Sequence, residues 1–141
     1  MSMSTRTIGV EEAQERLPES QQERSIALFQ HGTLTVKLYA PRGNDPQIPH
    51  SRDEIYVVIS GAGDFVCAGE RRKFGPHDFL FVPAGVEHRF ENFSNDLAVW
   101  VFFYGPEGGE TDTRPEGRRK CLFSCKSLLI ALVSRSLGAI R

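Results

Sequence analysis

Two short stretches of the chain carry side chains that can hold a metal ion. His50 and Glu54 stand four residues apart at the start of an apolar, β-branched run, so on an extended strand they project from the same face. His88 opens a second apolar run, directly after a turn that contains Pro83 and Gly85. If these runs are neighbouring strands, two imidazoles and one carboxylate meet in a mononuclear metal site. The spacing therefore predicts a metal site at His50, Glu54 and His88.

The types of these three ligands indicate which metal ions and which reactions are compatible with the site. Two histidines and a carboxylate make a facial triad, which leaves coordination positions open for substrate, water or O₂. Fe(II) is the ion we expect first for this triad, while Zn²⁺, Ni²⁺ and Mn²⁺ are compatible because ligand type alone selects poorly among them. An ion held in this way can polarise a substrate oxygen or activate water.

Further polar side chains flank the predicted site. Tyr56 follows Glu54 by two residues and shares its strand face, so we predict Tyr56 as the catalytic residue that positions substrate or donates a proton. Gln47 precedes His50 in a loop, and we predict its amide oxygen as an additional metal ligand, provided that the loop bends inward. Asp53 alternates away from Glu54, which places it either at the surface or behind the ligands.

The elements around these residues are predicted to be strands. Apolar and polar residues alternate over 34–39, and β-branched and aromatic residues dominate 54–60 and 97–104. Turn signals recur at short intervals, a pattern typical of an all-β sandwich or barrel. A barrel brings alternate side chains of several strands into one interior, which is the geometry that the metal site needs. A short helix is predicted from Val10 to Leu17, stopped by Pro18.

The composition limits the partners. The chain has 141 residues, enough for one domain with a core, and a formal net charge of −1 that gives no drive toward nucleic acid. No helix-turn-helix pattern is visible, and no apolar run reaches the roughly 20 residues of a membrane span. Three cysteines argue against a disulfide scaffold and favour a reducing compartment. We therefore expect a cytoplasmic protein that binds a small molecule and has neither a nucleic-acid partner nor a membrane span.

The two stretches resemble the motifs of the cupin superfamily, in the form of a small single-domain cupin with one conserved barrel. The second cupin motif is matched at Pro83, Gly85, His88 and Asn92, with His77 in place of its opening glycine. A positive φ is expected at that position, and His77 is not counted as a ligand.

The first cupin motif is matched less completely. His50, Glu54 and Gly61 fit it, but the first of its metal histidines falls at Ile48, which cannot coordinate an ion. Gln47 stands next to that position. The resemblance implies an all-β double-stranded β-helix, the jelly-roll barrel, and assembly as a homodimer. The residue pattern adds a short N-terminal helix and a C-terminal tail with apolar residues at helical spacing.

The function that the resemblance implies is a metal-binding cupin that acts on a small polar molecule, as a dioxygenase or an isomerase. One alternative is a non-enzymatic module that binds or senses a small ligand, with or without metal. Another is a metal-free isomerase or epimerase, in which His50 or His88 works with Tyr56. In a metal-free protein the polar groups of the interior would be hydrogen-bonded to one another or to water.

The chain divides into four predicted parts. An N-terminal arm covers 1–31, and the barrel covers 32–105. A flexible linker over 106–120 has no periodicity and is rich in glycine and charged residues. The tail over 121–141 has apolar residues at roughly helical spacing and basic residues without any acidic one, so it is a basic amphipathic segment.

Overall fold

The computed structural model describes residues 6–19 and 24–111 of the chain, and over that part it shows a short helix and eight strands. In chain order the elements are α1 (Val10–Glu15), β1 (Ser25–His31), β2 (Leu34–Tyr39), β3 (Asp53–Ser60), β4 (Gly63–Cys67), β5 (Glu70–Phe74), β6 (Phe79–Val82), β7 (His88–Glu91) and β8 (Ala98–Tyr104). The helix ends two residues before Leu17, because the proline at position 18 disfavours a helical conformation in the residue before it.

The strands form two antiparallel sheets. The larger sheet has the order β1-β2-β8-β3-β6, and the smaller sheet has the order β5-β4-β7. Buried residues of both sheets belong to one hydrophobic cluster, so the sheets face each other across a common core. The predicted all-β jelly-roll fold with a short N-terminal helix is confirmed.

Aromatic side chains join the two sheets at the centre of this core. Tyr56 on β3 contacts Phe65 on β4 and Phe90 on β7, edge to face, with ring centroids 5.8 and 5.2 Å apart. All three side chains are buried, and burial of each contributes roughly 1.5–3 kcal/mol to stability. Edge-to-face packing adds about 0.5–1.5 kcal/mol for each pair. The ring of Tyr56 is therefore held rigidly at the centre of the core.

Strand β3 shows the period of two that the sequence predicts. Glu54, Tyr56 and Val58 are each at most 1% exposed, whereas Ile55 and Val57 are only partly buried. Gly61, just after β3, has a φ of +87°, and a Cβ there would lie 2.7 Å from the Cα atom of Leu97. A side chain at position 61 would therefore push apart the chain segments that close this end of the barrel.

The sheet extends beyond the predicted barrel. The sequence leaves the structure of 25–30 open and assigns 1–31 to an arm, whereas β1 pairs with β2 along its whole length. Helix α1 packs Ala13 against Leu28 of β1 and Leu38 of β2, in a second, smaller core. The division into four parts stays a prediction.

The structure tests only some of the predictions about the tail, a membrane span and the location of the protein. From residue 112 onward, the predicted linker and the basic tail lie outside the described residues. Within residues 6–19 and 24–111, no helix has both the length and the apolar character needed to cross a membrane. Two of the three cysteines, at positions 121 and 125, lie outside the described residues, and the reducing compartment stays a prediction. The cytoplasmic location stays a prediction.

Candidate metal centre

Side chains from both sheets meet in the interior. Glu54 lies on β3 of the larger sheet, His50 lies in the segment just before β3, and His88 is the first residue of β7 in the smaller sheet. The two segments are also joined through the backbone, since the N–H of Gly85 donates a hydrogen bond of 2.7 Å to the carbonyl of His50. Gly85 has a φ of 76°, which glycine adopts readily. The turn before β7 thus places His88 opposite His50.

The three side chains converge on the carboxylate. Oε2 of Glu54 lies 2.9 Å from Nδ1 of His50 and 3.2 Å from Nε2 of His88. The two imidazole centroids are 5.3 Å apart, and one ligand atom from each of the three residues lies within 4.8 Å of the others. Glu54 and His88 are 1% and 2% exposed, while His50 is half-buried. The structure brings together all three predicted residues, close enough that they could hold a metal ion between them.

The charges of Glu54 and His88 support each other. Burial alone would raise the pKa of Glu54, but hydrogen bonds from His50 and His88, together with their charge, hold it below its ordinary value. Burial alone would lower the pKa of His88, but its hydrogen bonds to Glu54 and to the Val86 carbonyl raise it above its ordinary value. In the metal-free protein, Glu54 is therefore ionised and His88 takes up a proton readily.

One oxygen of the cluster points to a further ligand. Oε1 of Glu54 is buried and has no hydrogen-bond partner in the part of the chain that the structure describes. A buried carboxylate oxygen without a partner is costly, and a coordinated cation would satisfy it. Nδ1 of His88 is hydrogen-bonded to the Val86 carbonyl at 2.8 Å, which orients the ring and directs Nε2 toward Glu54. The donor set therefore fits a divalent ion.

Tyr56 lies directly beside the cluster. Its hydroxyl oxygen is 2.8 Å from Oε1 of Gln47 and 3.0 Å from Nε2 of His88. Burial raises the pKa of Tyr56 well above its ordinary value, and the negative charge of Glu54 raises it further. Tyr56 therefore keeps its proton at neutral pH and acts as a hydrogen-bond donor.

Asp45 determines how Gln47 faces the site. The backbone N–H and the side-chain amide of Gln47 both donate to the carboxylate of Asp45, at 3.1 and 3.0 Å. The hydroxyl of Tyr39 and the N–H of Phe90 donate to the same carboxylate, at 2.6 and 2.8 Å. The amide nitrogen of Gln47 thus faces Asp45 and its oxygen faces Tyr56. Gln47 as a metal ligand stays a prediction.

The sequence offers only a partial signal for Asp45. Its bond to the N–H two residues on is an Asx turn, which an aspartate in a loop rich in proline and glycine indicates. Nothing local indicates the bond to Phe90, because 45 residues separate the two in the chain. The sequence therefore predicts the turn at Asp45, but only the fold shows that Asp45 also joins this turn to β7 beside the candidate site.

Two other residues are placed clearly by the structure. Asp53 is 5% exposed and accepts hydrogen bonds from the N–H groups of Ala84 and Glu110, at 2.9 and 2.7 Å. The surface position for Asp53 is therefore wrong, and its carboxylate instead holds the turn behind the ligands. His77 is exposed and has the expected positive φ, of 71°, because it occupies a turn where the cupin motif has glycine.

The cluster opens into a pocket of about 250 Å³. Pockets for drug-sized molecules measure roughly 300–1,000 Å³, so this one suits a smaller molecule. Ile48, at the position of the missing motif histidine, lines the pocket and is 72% exposed. The other lining residues are Ser25, Lys37, Tyr39, Pro46, Gln47, His50, Glu54, Val101 and Phe103.

Comparison with known proteins gives a consistent result. A family model described as a cupin domain matches residues 35–104. An uncharacterised protein of Streptomyces coelicolor is 35% identical over 100 residues, which make up 65% of this chain and 95% of that protein. A solved structure of a Cupin 2 conserved barrel domain protein from Salinispora arenicola superposes with a TM-score of 0.56 at 19% identity, covering 74% of this chain and 91% of that one.

Two relatives with named activities match over shorter regions. Dimethylsulfoniopropionate lyase DddQ of Ruegeria pomeroyi is 31% identical over 83 residues, 57% of this chain and 41% of the lyase. Acireductone dioxygenase of Rhodopseudomonas palustris is 47% identical over 45 residues, 29% of this chain and 27% of the dioxygenase. The chain therefore matches less than half the length of either enzyme.

Proposed function

The chain belongs to the cupin family, and on that premise we propose that it is a metal-dependent enzyme acting on a small polar molecule. The observation that carries the proposal is the convergence of His50, Glu54 and His88, which each offer a ligand atom within 4.8 Å of the others. Oε2 of Glu54 faces the two imidazoles, and Oε1 is buried without a hydrogen-bond partner among the described residues. Fe(II) is the first expected ion for such a triad. When bound, the ion would supply Lewis acidity and an open position for a substrate oxygen or O₂.

The protein's own residues have distinct roles in this proposal. Glu54 stays ionised and acts as a ligand, since its pKa is held below the ordinary value. The bond from His88 to the Val86 carbonyl fixes the ring orientation. Tyr56 keeps its proton and presents a hydroxyl 3.0 Å from His88, from which it can donate a hydrogen bond to a bound substrate or return a proton to it.

Of the two reaction classes, a dioxygenase is favoured by the chemistry of the triad and by the local similarity to acireductone dioxygenase. An ion held by His50, Glu54 and His88 would supply the open positions that oxygen chemistry needs. Homodimer assembly and a cytoplasmic location remain predictions beside this proposal.

A metal-free isomerase is the second candidate function, and one specific observation favours it. The hydroxyl of Tyr56 and Nε2 of His88 lie 3.0 Å apart in a buried position, as a proton-transferring pair requires. The two candidates differ in whether removal of metal abolishes the activity.

The test is metal analysis of protein purified without an affinity tag. We expect about one iron ion per chain after anaerobic reconstitution, and loss of that ion in Glu54→Gln. Glu91→Gln is the matched control, because Glu91 lies on β7 near the surface and pairs with arginines. Wild-type protein that takes up no ion, or Glu54→Gln protein that takes up as much as the wild type, would overturn the proposal.

A further inference from the structure

A lysine lies on the inner face of the larger sheet, close to the candidate centre. In the strand register, Lys37 of β2 stands opposite Val101 of β8, and Val101 stands opposite Tyr56 of β3. Residues directly opposite each other in an antiparallel sheet point to the same face. Lys37 therefore points to the side on which Tyr56 and the metal ligands lie, and its side chain lines the pocket.

No carboxylate among the described residues forms an ion pair with Lys37. Within residues 6–19 and 24–111 it takes part in no ion pair, and its ammonium instead lies 6.0 Å from the ring centroid of Phe103. The same ring contacts His50 edge-on at 4.9 Å. The ammonium is thus separated from the metal ligands by a single aromatic side chain.

Arg52 provides a comparison for Lys37, because both cations lie near the ring of Phe103. The guanidinium of Arg52 lies 5.9 Å from the ring of the same Phe103, but it donates to the Thr33 carbonyl and to the Thr35 hydroxyl. Arg52 is therefore engaged in holding β2 to the segment before β3. Among the described residues Lys37 makes no hydrogen bond of this kind, and its side chain lines the pocket.

We propose that the substrate is a small carboxylate, held at one end by the ammonium of Lys37 and at the other by the metal ion. This inference rests on the metal centre of the proposed function. A divalent ion carries more positive charge than Glu54 offsets, and Lys37 adds another positive charge to the same pocket, which favours an anion. Ser25 lines the pocket opposite Tyr39, two positions from Lys37 in the register, and offers a hydroxyl to the same carboxylate.

The test uses two probes that share a metal-binding head and differ only in charge at the other end. Succinic acid monohydroxamate has a free carboxylate tail, and its carboxamide has a neutral tail of the same shape. Both are titrated by calorimetry into protein loaded with Co²⁺. We expect the wild type to bind the carboxylate probe about five- to tenfold more tightly than the carboxamide, because a charge-assisted contact forms in a partly buried pocket.

Variants of Lys37 sharpen the result. Lys37→Gln should lose the preference for the carboxylate while it binds the carboxamide as the wild type does, and Lys37→Arg should retain the preference. Lys73→Gln is the matched control, because Lys73 is 83% exposed on β5 and pairs with Asp64. Retained Co²⁺ uptake and carboxamide binding show that each variant is folded.

The outcomes separate the inference from the proposed function. Equal affinity of the wild type for both probes, a preference that survives in Lys37→Gln, or Co²⁺ uptake without binding of either probe overturns the carboxylate inference alone. Absence of Co²⁺ uptake overturns the metal centre and this inference with it. Equal affinity of the wild type for the two probes overturns the inference even if Lys37→Gln does not fold.

Discussion

Two buried carboxylates of this protein face different partners. Glu54, 1% exposed, lies against the imidazoles of His50 and His88. Asp64, 5% exposed, lies 3.2 Å from the guanidinium of Arg71 and 2.7 Å from Nζ of Lys73. Arginine and lysine keep their protons at physiological pH, whereas an imidazole releases its proton near neutrality and can then bind a metal ion.

Asp64 belongs to a larger set of ion pairs, which has no equivalent described around Glu54. We call the outer network the set of ion-paired residues on the smaller sheet: Asp64, Arg71, Lys73, Arg89 and Glu91. A hydrogen bond from Asn92, followed by the close contact and charge of the Lys73 ammonium and the charge of Arg71, lowers the pKa of Asp64 to about 2. Its Oδ1 makes no aligned hydrogen bond but has the Lys73 ammonium beside it, while Oε1 of Glu54 has no such cation among the described residues. Glu54 is therefore part of a candidate metal site, because the imidazoles beside it can lose their protons. Asp64 is not, because arginine and lysine keep theirs.

The largest expected effect separates two neighbours on β7. His88→Ala should weaken binding of the metal ion by more than about 100-fold, because even residues behind metal ligands contribute about 10- to 100-fold. Arg89→Ala should leave the affinity unchanged, since Arg89 is exposed and pairs with Glu91 in the outer network. Competition with a chelating dye measures the metal affinity of both variants. Similar affinities of the two variants would show that His88 does not contribute more to metal binding than the outer network does.

A smaller effect is expected behind the candidate centre. Asp45→Asn should destabilise the fold by about 1–3 kcal/mol, because an amide group would face donors from Tyr39, Gln47 and Phe90. Asp96→Asn, at an exposed turn, should leave the free energy of unfolding almost unchanged. Urea denaturation measures both variants. Equal midpoints would mean that Asp45 does not support the loop that carries Gln47.

The titration of Glu54 and His88 predicts the pH dependence of the metal-free protein. The pKa of Glu54 is lowered from 4.5, so its stabilising contribution is present above pH 4.5 and is lost as the pH falls through its folded-state value. The pKa of His88 is raised from 6.5, so its contribution is present below pH 6.5 and is lost as the pH rises through its folded-state value. The pair should therefore stabilise most between pH 4.5 and 6.5.

Urea unfolding of the metal-free protein across this range tests the expectation. Glu54→Gln should flatten both sides of the profile, because the variant has no charge to offer His88. A profile of the same shape in the wild type and the variant would show that the two groups are not coupled.

The smallest expected effect lies in the outer network. Asp64 has its pKa lowered from 3.8 to about 2, so its contribution is present above pH 3.8 and is lost as the pH falls toward 2. Arg71→Ala should reduce this acid-side contribution only slightly, because Arg71 is half exposed and salt screens exposed pairs. Unfolding midpoints of the wild type and of Arg71→Ala at low and high salt measure this reduction in stability. A loss larger than that of Asp45→Asn would reverse the ranking of the two regions.

Much of the fold and of the candidate site could be predicted because the signals are local. Alternation along β3 places Glu54 and Tyr56 on one face, and the Pro83-Gly85 turn places His88 at the start of β7. These patterns depend only on the period of a strand and on the conformations that proline and glycine allow. They suffice to predict the all-β fold and the meeting of His50, Glu54 and His88, the three candidate metal ligands, with Tyr56 beside them.

Strand β1 and the supports of the site depend on longer-range contacts. Residues 25–31 have no clear alternation, and they form a strand because β2 offers a free edge for pairing. Asp53 is buried because it finds the N–H of Ala84, which comes 31 residues later in the chain.

The sequence by itself determined which side chains are candidate metal ligands and which strand faces carry them. Only the tertiary structure decided that Asp45 orients Gln47 and that Lys37 shares a sheet face with Tyr56. The reason is that pairing between distant strands sets these neighbours, and the register of that pairing follows from the packing of the whole core and not from any local period.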